Sequence, residues 1–433
     1  MLRTHYIGEL NADVYGKKVA LAGWVHEIRD LGSFKFVILR DKTGLIQITV
    51  KKKEADAELL DDFNRLVKET CILCTGVVQQ SKIANLGAEL FPEDLVVLGE
   101  VLDKVPFELT GKVPAELDVR LDNRFVDLRR KEPSAIFKIR HTVQQAFREF
   151  LLNAGFQEIN TPTIVSSSTE GGADLFPVIY FEKQAYLAQS PQLYKQLAVV
   201  GGMDKVFMTQ PVFRAEKHNT TVHLNEVTQM DAEMGFCNAD DAVEVLEKTT
   251  LHILKRVHEK NKPELEQLSA LPIKVPLQVK QFTYNQVIDA IKSHDVEMNW
   301  GEDFPKEVEA KLPVILGEDL FFIREWPTQL RAFYSMPMDE NPEICHAYDL
   351  VFKGLEIASG AQRIHVPSLL VKQLKARGLK PVDFQSYIDA FKYGAPPHAG
   401  WSIGAERIVM KLTDQSNIRE CSLFPRDRHR LLP

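Results

Sequence analysis

"KVFMTQPVFRAEKHNTTVHLNEVTQMDAEMGF", residues 205–236, reads as two strands joined by a polar middle. The runs "KVFMTQPVFRAE" and "EVTQMDAEMGF" are rich in apolar and β-branched residues, the pattern of a strand in a sheet. Arg214 and Glu216 are two apart, so both project from one face of the first run. "KHNTT" follows as a loop of small polar residues, and His223 and Glu226 close it. A solvated surface hairpin would have these letters, and so would a site holding an anion and an amine together. Both readings stay open on this stretch alone.

The remainder of the chain narrows them. Its 433 residues allow two or three domains with sizeable cores. Composition is that of an ordinary globular protein, 45% hydrophobic and 26% charged, with a net charge of −7. A nucleic-acid partner would therefore need a local basic patch. No apolar run approaches the ~20 residues that span a bilayer, and "MLRTHYIGEL" lacks the apolar core of a signal peptide. Five scattered cysteines point to a reducing, cytoplasmic setting. Cys71 and Cys74 form a lone CxxC, but residues three apart on a strand face opposite ways, so two apolar strand residues are expected.

Residues 1–103 contain five short strand-like runs, "KKVALAGWVHEIRD", "KFVILRD", "GLIQITV", "CILCTGVVQQ" and "ELFPEDLVVLGEV". The helical "EADAELLDDFNRLVKE" separates the third from the fourth, which is the plan of an OB-fold β-barrel. Residues 104–134, with Pro106, Pro114, Pro133 and several arginines, read as a linker or hinge. A long helix follows in "SAIFKIRHTVQQAFREFLLNAGF", with Ser134 as its cap, Ile136, Ile139, Val143, Phe147 and Phe150 as its stripe, and Gly155 as its stop. From 135 to 433 the strand-like runs 177–189, 205–216, 226–236 and 343–364 mix with helices at 239–260 and after Gly404. An α+β domain around an antiparallel sheet is expected. The chain has neither a Walker P-loop nor a GxGxxG after a strand.

Charges interrupt several of these apolar runs: Arg214, Arg363 and Arg407 with Glu170, Glu216, Asp231, Glu233 and Glu356. A buried charge persists only when paired or when it binds something. Any one of them fits an internal ion pair, but five such segments together favour a site for a polyanion, a cation and a small zwitterion.

"INTPTIV" after the long helix, "FRAE…HLNE" and "GAERIVM" resemble motifs 1, 2 and 3 of the class II aminoacyl-tRNA synthetases. "RLDNRFVDLR", the β-rich N-terminal region and "GLEIASGAQRIH" are similar to the aspartate, asparagine and lysine subgroup, and most closely to its compact archaeal-type aspartyl enzymes. The resemblance implies ATP-dependent ligation of L-aspartate to tRNA(Asp) through an aspartyl-adenylate, with Mg²⁺ as cofactor and a homodimer built on motif 1. By this resemblance Lys195 and Arg363 clamp the side-chain carboxylate of aspartate; asparaginyl relatives carry "QLYLE", without the lysine. A neutral amide against Lys195 would leave an ammonium unpaired, which favours aspartate.

The same resemblance assigns Glu170, Gln192 and Asp231 to the α-ammonium and Ser359 to the aspartate site. Arg214 bridges the α-carboxylate and the ATP α-phosphate, and Glu216 receives the adenine amino group. His223, Leu224, Gly404, Glu406 and Arg407 line the ATP site, with Arg214, Glu216 and Arg407 in the catalytic role. Glu356, Ser359 and Glu233 hold Mg²⁺. On the barrel, Arg29, Phe36, Gln47 and Glu89 resemble anticodon-reading residues. His26 and Asn85 stand where tRNA discrimination is set; His26 matches the relaxed pattern, so tRNA(Asn) is expected as a second substrate. Val222, Trp401 and Ser402 depart from the family's usual letters. Two other readings compete: an asparaginyl-tRNA synthetase, and a catalytically silent paralogue that binds RNA. An asparagine synthetase relative would lack the barrel.

Overall fold

The computed structural model describes residues 2–82, 84, 87–166, 175–217, 219–270, 274–294 and 296–433. The chain divides into two compact units, Met1–Arg130 and Lys131–Pro433.

In the first unit the strands β1 (Lys18–Leu31), β2 (Phe34–Arg40), β3 (Leu45–Lys51), β4 (Cys71–Gln80) and β5 (Ala88–Gly99) close into a barrel of order β1-β2-β3-β5-β4. Period-2 alternation fills its interior with Val19, Leu21, Val25, Val37, Leu39, Ile46, Ile48 and Val78. The helix Ala57–Arg65 interrupts the series between β3 and β4. Cys74 points inward, and burial pushes its thiol well up, while Cys71 is only half-buried and both are free.

The second unit is built on β6 (Gln157–Glu158), β7 (Ile164–Val165), β8 (Pro177–Tyr180), β9 (Lys183–Leu187), β10 (Lys205–Phe213), β11 (Glu226–Gly235), β12 (Lys280–Thr283), β13 (Leu320–Pro327), β14 (Ile344–Phe352), β15 (Glu356–Gln362) and β16 (His398–Gly404). Eight of them form one sheet, β12-β13-β14-β15-β16-β11-β10-β6, whose inner pairs are antiparallel while β12 and β6 join its edges in parallel. The helices Lys131–Asn153 and Ala239–Lys260 cover one face, where Ile139, Val143, Phe147, Leu246, Ile253 and Val257 pack on Met230, Ala232, Trp401 and Ile403. That face takes alternate residues of β11 and β16, so Gln229, Asp231 and Glu233 project from the other. Among the described residues no helix is long and apolar enough to cross a membrane.

Four local expectations give way, the first being the run 343–364, which divides into β14 and β15 around a turn at Lys353 and Gly354. The long helix begins at Lys131, so Ser134 lies inside it; Pro133 is accommodated because first-turn N–H groups have no intrahelical partner to lose. Residues 177–189 fold into the hairpin β8–β9, turning at Phe181, whose φ is +54°. The strand from Lys205 ends at Phe213, which leaves Arg214 and Glu216 just past it. Phe147, Val143 and Ile139 are buried as expected, Phe150 is partly so, and Gly155 follows the helix at φ +81°.

Candidate active site

Sheet register builds the polar face. Asp349, Ser359, Ser402 and Asp231 stand in one row across β14, β15, β16 and β11. Ala361, Gly400 and Glu233 form the next. Gly400 is required there, since a Cβ would lie 2.1 Å from Glu233 Oε2. The helix Gln192–Ala198 brings Lys195 over these rows. Lys195 Nζ donates to Asp231 Oδ1 at 2.8 Å and to the Trp401 carbonyl at 3.2 Å, and lies 3.4 Å from Glu233 Oε2. Arg363 grips Glu233 with Nε at 2.9 Å and Nη2 at 3.2 Å. All four charges are buried.

Burial pushes the Asp231 carboxyl up, against the pull of Lys195. Burial would raise Glu233 as well, but Arg363 and Lys195 together hold it below the usual range. Arg363 Nη1 has no hydrogen-bond partner among the described residues, so one arm of the guanidinium remains to receive a ligand. Gln192 is buried with its Nε2 unpartnered, and Gln229, on the face of Asp231, has an unpartnered Oε1. Gln229 carries no charge to mark it in the sequence, although it lies two residues before Asp231 on the same strand face. Glu170 lies outside the described residues.

A cleft of ≈ 110 Å³ adjoins this cluster, lined by Arg214, Glu216, His223, Leu224, Glu356, Ser359, Gly404, Glu406 and Arg407 among others. The nine residues come from segments up to 193 positions apart (407 − 214). Arg407 Nη1 donates to the Glu356 carbonyl at 3.0 Å and lies 3.4 Å from its Oε1. Burial, then Arg407, keep His223 below its usual range. Arg214 is half-buried, and its guanidinium has no partner among the described residues. Asn225 Nδ2 donates to the carbonyls of Arg214 at 2.7 Å and Glu216 at 3.0 Å, which fixes both residues. Glu406 is turned into the protein: it meets Arg140 at 2.7 Å and accepts from Thr228 N at 3.0 Å. It therefore braces the wall of the cleft.

The departures from the family letters have packing reasons. Val222 is buried in the main core beside the cleft. Trp401 packs edge-on to Phe147, and Ser402 Oγ donates to Asp231 Oδ2 at 3.2 Å.

The metal expectation is corrected at one residue. Both oxygens of Glu233 are already engaged by Arg363, and Lys195 lies 3.4 Å from Oε2, so Glu233 is held by cations of the protein itself. Asp349, opposite Ser359 and paired with Arg331, presents instead a buried Oδ1 with no partner. Burial raises it to about 7, with Arg331 opposing. An aspartate inside the apolar "HAYDLVF" carries the same sequence signal as the other interrupting charges. Glu309, also raised to about 7 by burial and by Glu356, accepts the Glu356 backbone N–H. Asp349, Glu356 and Ser359 offer the hard oxygens that suit a magnesium ion.

On the barrel, register places Arg29, Phe36 and Thr49 in one row, and Glu27, Ile38, Gln47 and Glu89 in the next, all on the outer face. Phe36 stacks on Phe34 with centroids 6.0 Å apart, and Gln47 Nε2 donates to Glu89 at 3.3 Å. Arg29 pairs with Glu27 at 2.9 Å. His26 is the residue skipped by the β1–β2 register, and its Nδ1 lies 2.9 Å from Arg40 Nη1. Asn85 lies outside the described residues.

A family model described as tRNA synthetases class II (D, K and N) matches residues 116–428, and one described as an OB-fold nucleic acid binding domain matches residues 19–98. An aspartate–tRNA(Asp/Asn) ligase of Methanopyrus kandleri is 48% identical over the full length of both chains. An aspartate–tRNA(Asp) ligase of Pyrococcus furiosus is 46% identical, again over 100% of both. Among solved structures, asparaginyl-tRNA synthetase from Pyrococcus horikoshii complexed with asparaginyl-adenylate superposes with a TM-score of 0.96 at 33% identity, covering 100% of both chains. A putative aspartyl-tRNA synthetase from Leishmania major gives 0.91 at 30% identity, covering 100% of this chain and 95% of the other.

Proposed function

The chain belongs to the class II tRNA synthetases of the D, K and N group and is an enzyme, and we propose that its amino acid is L-aspartate. The solved neighbours include asparaginyl enzymes, so the fold leaves the amino acid open. One observation carries the choice: the buried ammonium of Lys195 within the amino-acid cluster. Lys195 and Arg363 pair with Asp231 and Glu233, and Arg214 has no partner among the described residues. The side-chain carboxylate of aspartate matches the cations Lys195 and Arg363, whereas the neutral amide of asparagine does not.

In this reading the α-ammonium faces Asp231 and Gln192, and the side-chain carboxylate meets Lys195 and the open arm of Arg363. Arg214 holds the α-carboxylate beside the α-phosphate of ATP. That carboxylate, already ionised, attacks the α-phosphorus; a carboxyl–phosphate bond forms and pyrophosphate leaves with the electron pair. No general base is required, so catalysis rests on positioning and on positive charge at the phosphates. Glu216 receives the adenine amino group and Arg407 spans the nucleotide. Asp349, Glu356 and Ser359 would hold Mg²⁺, which supplies charge neutralisation at the phosphates. The terminal hydroxyl of tRNA then attacks the aspartyl carbonyl and AMP departs.

The anticodon would lie on the outer barrel face around Phe36, Gln47 and Glu89. His26 supports aspartylation of tRNA(Asn) as well as tRNA(Asp), and a homodimer is part of the proposal. Charging purified tRNA(Asp) and tRNA(Asn) transcripts with labelled aspartate tests it: both should be aspartylated. Charging of tRNA(Asp) alone would remove the second substrate, and charging of neither would overturn the reading.

A further inference from the structure

His223 stands between two side chains of unlike hydrogen-bonding character. Its Nε2 lies 3.3 Å from Arg407 Nη2, and its Nδ1 lies 2.7 Å from Thr220 Oγ1. A guanidinium nitrogen offers only hydrogens, so Nε2 must present its lone pair. The ring proton is then on Nδ1, where Thr220 Oγ1 accepts it.

Thr220 is itself anchored from a distant segment. Arg419 is buried and uses its whole guanidinium: Nη1 donates to the Thr220 carbonyl at 2.9 Å, Nη2 to Asn219 Oδ1 at 2.6 Å, and Nε to Asp427 Oδ2 at 2.6 Å. Nη1 also lies 3.3 Å from Asn417 Oδ1. Beside it, Ile418 N donates to the Thr221 carbonyl at 2.8 Å, and Thr220 Oγ1 has a second, longer donor in Val222 N at 3.4 Å. The loop that carries His223 is thus stapled to residues 417–427, and the staple ends at Arg407 and, through it, Glu356.

We propose that Thr220 and Arg419 are positioning residues for the nucleotide, acting through His223 to hold the Arg407 guanidinium across the cleft. His223 then orients an arginine toward the phosphates and does not itself donate to them. The inference rests on the reading that this cleft takes ATP.

The test is the affinity of the full chain for a non-hydrolysable ATP analogue with Mg²⁺, measured by calorimetry on Thr220→Val and Thr220→Ser. Thr220→Val keeps the shape and removes the acceptor, so binding should weaken about fivefold, the loss of one hydrogen bond. Thr220→Ser should bind within about twofold of the parent chain. Arg419→Lys, which cannot reach three partners at once, should weaken binding like Thr220→Val, while the KM for aspartate in pyrophosphate exchange stays unchanged in all three. Parent-like affinity in Thr220→Val, or equal weakening in Thr220→Ser, would overturn the proposal. A parent chain that binds the analogue but shows no aspartate-dependent exchange would count against the aspartate reading alone.

Discussion

Lys195 Nζ stands 2.8 Å from Asp231 Oδ1, and both groups are sealed from solvent. Removing the ammonium would leave Asp231 buried without its cation, while Glu233 keeps Arg363, and would take away one half of the clamp for aspartate. Lys195→Leu should lower aspartate-dependent kcat/KM by on the order of 100-fold or more, as expected for one partner of a buried charge pair. The KM for ATP should change little. Pyrophosphate exchange at varied aspartate and ATP separates the two effects.

Gly400 is the close approach that lets Glu233 sit beneath Arg363. In Gly400→Ala the new Cβ would meet Glu233 Oε2 at 2.1 Å and the Ala232 carbonyl at 2.4 Å. The backbone contact cannot be relieved by a rotamer change, so a loss of about 2 kcal/mol is expected. Urea unfolding measures it, and any folded fraction should show a raised KM for aspartate.

His398 is fully buried, and burial holds it below its usual range, with Arg363 adding to the effect and Glu233 opposing it. A histidine depressed in the fold contributes stability that is present above its unfolded value of ~6.5 and is lost as pH falls through the folded one. His346, also depressed by burial, acts in the same direction. Unfolding free energy should therefore fall between pH 7.5 and pH 5, and His398→Gln should shrink the fall. An unchanged slope in that variant would contradict the assignment.

Phe36 lies on the outer barrel face among the anticodon-reading candidates. Phe36→Ala should reduce tRNA aspartylation by about tenfold, in the range of one lost base stack, and leave pyrophosphate exchange intact. Equal loss in both assays would instead indicate a folding defect.

Elements whose information is periodic were legible in the sequence. The five barrel strands and the helix Ala239–Lys260 follow from alternation and from a 3.6-residue stripe, both local properties of consecutive letters. Most of the cleft was legible too, because charges inside apolar runs, together with the family motifs, mark Arg214, Glu216, Glu356 and Arg407. The role of Glu233 was not. Its enclosure depends on Lys195, 38 positions earlier (233 − 195), and Arg363, 130 later (363 − 233), and no local pattern states which carboxylate a distant cation will reach. Asp349 interrupts an apolar run as the other site charges do, but its place opposite Ser359 comes from the register of β14 against β15. The start of the long helix at Lys131 is hidden in the sequence by Pro133, which marks a boundary in most contexts but fits within a first turn.

Amino-acid-dependent ATP–pyrophosphate exchange tests the aspartate pocket most directly. With the unaltered chain, aspartate should support rapid exchange and asparagine should not rise above the background without amino acid. Exchange driven by asparagine as well as, or better than, aspartate would contradict the role given to Lys195 and Arg363.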